Sequence, residues 1–179
     1  MLYTSAEANK LLRSLNDELS TIIRKEDKVA VFNAASNEDA ESLRPEYNYR
    51  KTQDDILALN AKIRIIKHAL NVFNSTTELT DITLTAPDGT EYHPTIDEAL
   101  ILLPQLSGLR GKYNRMQQRV EKERVSDFRS IGGGIIDYRI INYPLEETEA
   151  DFKKISDLIA KIQLALDTMN NTVKFEIDV

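Results

Sequence analysis

The sequence predicts a mainly α protein: an antiparallel bundle or coiled coil of about four long helices, with a small β-hairpin and strand element. Three observations predict it. Over Asn48–Phe73 the apolar residues Ile56, Leu59, Ile63, Ile66, Leu70 and Phe73 recur in alternating steps of three and four, the seam of a helix that packs lengthwise on other helices. Phe152, Ile155, Ile159, Ile162, Leu166 and Met169 repeat that spacing near the end of the chain. Between them the period changes: Ile82-Thr83-Leu84-Thr85 alternates, Ala86-Pro87-Asp88-Gly89 is turn chemistry, and Thr90-Glu91-Tyr92-His93 returns as a hairpin.

The first element follows from a capping box. In Thr4-Ser5-Ala6-Glu7 the Thr4 hydroxyl is set to accept from the Glu7 amide while the Glu7 carboxylate reaches back. Leu11, Leu12, Leu15, Leu19, Ile22 and Ile23 then keep helical spacing, which predicts a helix over Ser5–Lys28. Val29-Ala30-Val31-Phe32 reads as a short strand or as the buried end of that helix, and Asn33–Asp39 as a polar loop. Pro45 pushes Arg44 out of helical geometry and marks a boundary before the seam helix, about 39 Å long at 1.5 Å per residue.

After the hairpin, Thr95-Ile96-Asp97-Glu98 is a second capping box. It opens a helix carrying Ala99, Leu100, Leu103, Leu106, Leu109, Tyr113, Met116 and Val120 that is predicted to end near Asp127, with Pro104 inside it. Ser130–Gly134 reads as a loop with unusual backbone freedom, and Ile135–Tyr143 as a strand that can pair with the hairpin. A last helix is predicted over Leu145–Asn170, its first turns acidic as the helix dipole favours. Val173–Val179 alternates strictly and predicts a terminal strand that pairs within the fold or across a subunit interface.

Composition bounds the function. The 179 residues are read as one helical domain, 1–179, with the hairpin inserted near 80–94. With no Cys, disulfides and thiolate chemistry are impossible. A net charge of −6 disfavours non-specific nucleic-acid binding by the whole chain. The first residues lack the basic and apolar regions of a signal peptide, and no apolar run is long enough to span a bilayer, so a cytoplasmic protein with no transmembrane segment is expected.

Read as an order of elements, the chain resembles the septicolysin-like family of small, mostly uncharacterised bacterial helical proteins. The resemblance is carried by a long helix ending in Asn71-x-x-Asn74, a turn with a glycine, and Thr95-x-x-Glu98-Ala99-Leu100 opening another long helix. Where that family runs into an Arg-Asp pair, Ile101-Leu102-Leu103-Pro104 stands here. The resemblance implies an architecture, long antiparallel helices that associate into oligomers. It implies no established activity and no catalytic residues.

The residues themselves offer little chemistry. His68 has Arg64 at i−4, and Asn71 and Val72 at i+3 and i+4, so it lacks the carboxylate or second histidine a metal would want; His93 ends the hairpin. Glu147 and Asp151, four apart, would suit a magnesium site only with a second acidic motif. Gly132-Gly133-Gly134 is followed by Ile135-Ile136 rather than the Lys and Ser/Thr of a phosphate loop. No Gly-x-Ser-x-Gly is present. No catalytic, metal or cofactor-binding residue is therefore assigned, and no cofactor or small-molecule substrate is expected.

The basic residues carry more. On a helix reaching Asp127, Lys112, Arg115, Arg119 and Lys122 form one stripe beside the Leu109, Tyr113, Met116, Val120 seam, where coiled coils place partner-choosing charges. These four are the candidate partner-binding residues. The expected function is a non-enzymatic scaffold or interaction protein that self-associates. The alternatives are a small all-helical metal-dependent hydrolase using Glu146–Asp151, and a nucleic-acid or membrane-surface binder using the basic stripe.

Overall fold

The computed structural model describes residues 1–125 and 137–178. Its main-chain contacts gather into two compact units, Met1–Thr77 with Asp167–Val179, and Glu78–Leu166. Among the described residues the fold is mainly α, with four long helices, one single-turn helix and three two-stranded antiparallel pieces.

In the first unit, β1 (Leu2–Thr4) leads directly into α1 (Ser5–Val29). The predicted capping box is complete: Glu7 N donates to Thr4 Oγ1 at 3.2 Å and Thr4 N donates to Glu7 Oε2 at 2.8 Å. A cap of this kind is worth about 1 kcal/mol. After Val29 the chain is irregular, and Val31 is exposed, so the strand considered for Val29–Phe32 does not form. α2 (Ala40–Leu43) is a single turn, and Arg44, at ψ 121° before Pro45, ends it in extended geometry.

α3 (Tyr49–Thr76) is the seam helix, capped by Asn48, whose side chain accepts from Lys51 N. Leu59, Ile63, Ile66, Leu70 and Phe73 are buried; Ile56, nearer the helix start, is half-buried. Ala8 and Leu12 of α1 form one cluster with Ile63, Ile66, Leu70 and Ile177, while Glu26 at the far end of α1 meets Tyr47 and Gln53 at the start of α3. The two helices therefore run antiparallel. Complete burial of a side chain such as Ile66 contributes about 1.5–3 kcal/mol.

β6 (Lys174–Glu176) pairs antiparallel with β1, Tyr3 opposite Phe175. The terminal strand thus finds its partner within the chain, in three residues too short to show a period in the sequence. Phe175 stacks on Phe73 with ring centroids 4.5 Å apart, and Ile177 closes the cluster.

The second unit begins with the hairpin. β2 (Leu84–Thr85) and β3 (Glu91–Tyr92) pair as the alternation predicted. Gly89 turns the chain at φ +89°, a conformation that favours glycine, and Asp88 Oδ1 accepts from Thr90 N at 2.9 Å. Below the hairpin Leu79, Ile82, Pro94, Ile96 and Ala99 are buried. α4 (Ile96–Gln117) opens with the second complete capping box, Thr95 with Glu98. It stops ten residues before the predicted end at Asp127, because the chain turns at Gln118 and enters β4 (Lys122–Arg124).

β4 pairs antiparallel with β5 (Tyr138–Ile140), so the strand expected over Ile135–Tyr143 is shorter and joins this ribbon rather than the hairpin. Ile135, Ile136 and the predicted loop over Ser130–Gly134 lie outside the described residues. α5 (Leu145–Thr172) follows, with Thr148, Ile159, Ile162, Ala165 and Leu166 buried and Phe152, Ile155 and Met169 half-buried. Among the described residues, no helix is long and apolar enough to cross a membrane.

Candidate interaction surface on the β4–β5 ribbon

The end of α4 and the ribbon after it hold the four predicted partner-binding residues, but not as one stripe. Lys112 and Arg115 lie on α4; Arg119 lies in the turn beyond it; Lys122 opens β4. All four are exposed. The regular steps of three and four among them would align only on a continuous helix, and the helix stops at Gln117.

The ribbon sorts its side chains with a period of two instead. Directly opposed residues share a face, and the pairs are Lys122 with Ile140, Glu123 with Arg139, and Arg124 with Tyr138. One face therefore carries Lys122, Arg124, Tyr138 and Ile140, and all four are exposed. Lys122 Nζ sits 4.2 Å from the centre of the Tyr138 ring, a contact worth about 0.5–1 kcal/mol at an exposed site. This face has two cations and no acid.

The opposite face has the other character. The ladder extends through Val125 N donating to Asp137 O and Ile141 N donating to Glu121 O, so Glu121, Glu123, Val125, Asp137, Arg139 and Ile141 lie together there. Glu123 and Arg139 form an exposed ion pair at 3.5 Å, worth on the order of 0–1 kcal/mol. Beside them Gln118, Arg119, Val120 and Ile141 complete a hollow of about 390 Å³. Arg119 thus faces a balanced hollow rather than the cationic face.

Two hydrogen bonds hold the ribbon to the end of α4. Tyr143, just past β5, donates its hydroxyl to Met116 O at 2.9 Å, and Arg119 N donates to the same carbonyl at 3.2 Å. Arg124 is the residue that helical spacing missed. Its signal was present as Lys122-x-Arg124 facing Tyr138-x-Ile140, an alternation masked by the seam that runs on to Val120.

The other candidates stay apart. His68 is exposed on α3. His93 Nδ1 lies 2.8 Å from Ile82 O; a carbonyl only accepts, so this nitrogen carries the hydrogen and the ring ties the hairpin base. Glu147 and Asp151 are exposed on the first turns of α5. Among the described residues, no three or more His, Asp or Glu side chains gather closely enough to hold a metal ion.

No family model matches the chain, and no curated protein matches it. Its fold resembles a solved structure described as that of a functionally unknown conserved protein from Corynebacterium diphtheriae, with 15% identity over 98% of this chain and 100% of that one, at a TM-score of 0.52. At this identity the likeness speaks of the fold alone.

Proposed function

We propose that this is a non-enzymatic interaction protein that self-associates and presents the Lys122, Arg124, Tyr138 and Ile140 face of the β4–β5 ribbon to an acidic protein partner. The observation that carries this reading is the composition of that face: Lys122, Arg124, Tyr138 and Ile140 stand exposed together with no acid among them, on a chain of net charge −6. Cations fixed on a two-stranded frame attract an acidic surface at long range, and the apolar and aromatic neighbours supply burial once contact is made. Membership of the septicolysin-like family belongs to the same proposal, supported by the Asn71, Asn74, Thr95 and Glu98 pattern around the hairpin; a septicolysin-like structure without a capped helix at the Thr95 position would remove it. The working place of such a protein is the cytoplasm, which fractionation of the producing cells tests.

The ribbon is tested with fluorescein-labelled polyglutamate. Binding at low salt that weakens as salt is added, and at least a tenfold loss of affinity in the Lys122→Glu/Arg124→Glu double variant, are expected. No binding at low salt, or binding indifferent to the reversal, contradicts the proposal. Preference for an RNA homopolymer or an anionic vesicle over polyglutamate replaces the acidic protein with that class of partner.

A further inference from the structure

The β4–β5 ribbon leaves main-chain groups open at its edges, and the ladder fixes which ones. Val125 N donates to Asp137 O and Ile141 N donates to Glu121 O, which makes Val125–Asp137 and Glu121–Ile141 hydrogen-bonded pairs. Such pairs alternate along an antiparallel ladder. Glu123–Arg139 is therefore the next one, and Lys122–Ile140 and Arg124–Tyr138 are the wide pairs between them. Residues of a wide pair turn their N–H and C=O groups away from each other. On β4 the groups of Lys122 and Arg124 thus point to the outer edge, and among the described residues no main-chain partner meets them there. An edge of this kind is a template for a further strand.

We infer that the acidic partner joins the ribbon as a third strand, antiparallel to the outer edge of β4, with acids at two positions separated by one residue. This rests on the acidic partner proposed above and adds its conformation and spacing. Two observations select the occupant. The unmet N–H and C=O groups call for an extended main chain, and the Lys122 and Arg124 side chains beside them call for negative charge. Directly opposed residues of neighbouring strands share a face. Partner residues opposite Lys122 and Arg124 therefore lie on the cationic face, where neither cation has an ion-pair partner among the described residues. The residue between them lies on the other face, opposite Glu123, where an acid would meet like charge. The partner segment thus reads acid-x-acid, with x uncharged or basic. The same charges keep a second copy's β4 off this edge, since antiparallel pairing about Glu123 would set Lys122 on Arg124. Along β5 the edge groups belong to Tyr138 and Ile140, which give an acid no counter-charge.

Fluorescence anisotropy of labelled peptides with the full chain at low salt tests this. The peptide Glu-Thr-Glu-Thr-Glu-Thr-Glu-Thr offers the acid-x-acid spacing. Glu-Glu-Thr-Thr-Glu-Glu-Thr-Thr has the same charge and composition and no such pair. The alternating peptide is expected to bind about fivefold tighter or more. Its Glu amides face β4 in the antiparallel register, and N-methylating them is expected to weaken binding about tenfold or more. Its Thr amides face away, and N-methylating them is expected to change affinity by less than about twofold. Equal binding of the two peptides, or an equal or reversed response to the two methylation patterns, overturns the added strand. In that event the acidic-partner reading still stands if polyglutamate binds and responds to the Lys122→Glu/Arg124→Glu reversal. Polyglutamate that does not bind overturns both.

Discussion

Tyr47 and Glu26 join the open end of the α1–α3 pair. The Glu26 carboxylate accepts from the Tyr47 hydroxyl and, at 2.7 Å, from Gln53 Nε2. That hydrogen bond to Glu26, with burial and the carboxylate charge adding to it, pushes the Tyr47 phenol up to about 12. A folded-state value raised above the unfolded phenol range of about 10 means stabilisation that is complete below that range and lost as pH climbs through about 12. One of the seven tyrosines is therefore expected to ionise late in an ultraviolet titration, and Tyr47→Phe to remove that step. The melting-temperature gap between wild type and Tyr47→Phe should close over the same alkaline window. A titration without a late component would contradict this account. At this scale the sequence was legible where chemistry is local: both capping boxes lie within four residues and both form. The Tyr47–Glu26 contact joins residues 21 apart and depends on how two helices meet, which no spacing encodes.

Among the elements, α4 shows how a pattern can be right in kind and wrong in extent. Its start was legible in Thr95 and Glu98, but its seam ran on to Val120, and no glycine or proline stands between Gln117 and Asp127 to mark the end. What ends the helix is pairing of Lys122–Arg124 with Tyr138–Ile140, a long-range contact. The same limit hid β1, whose partner β6 lies at the other end of the chain. Residue period told apart helix and hairpin; it carried no information on which strands pair. Pro104 offers a test within α4. It is exposed deep inside the helix and has no amide hydrogen to offer the Leu100 carbonyl. Restoring the donor outweighs the entropy that proline removes from the unfolded chain. Pro104→Ala is therefore expected to raise stability by about 2 kcal/mol, read as a higher urea midpoint at unchanged slope. An unchanged or lower midpoint would show that the proline is accommodated without cost.

For the whole molecule, the contrast lies between an acidic chain and one acid-free cationic face. The basic residues from Lys112 to Lys122 stood out in the sequence by their number, but their grouping as one stripe fails, because helical pitch does not hold where the chain is extended. With the pitch corrected, Arg124 joins Lys122, while Arg115 stays on α4 and Arg119 turns to the hollow beside Glu123. Glu147 and Asp151, the carboxylates of the hydrolase alternative, gather no third ligating side chain among the described residues. Binding by the ribbon is measured most directly by amide chemical-shift mapping of the isotope-labelled 20.4 kDa chain during addition of polyglutamate. Shifts concentrated at Lys122, Arg124, Tyr138 and Ile140 are expected, and they reverse when salt is added. Shifts confined to the Glu121, Glu123, Asp137 and Arg139 face, or to the helices with the ribbon silent, would contradict it.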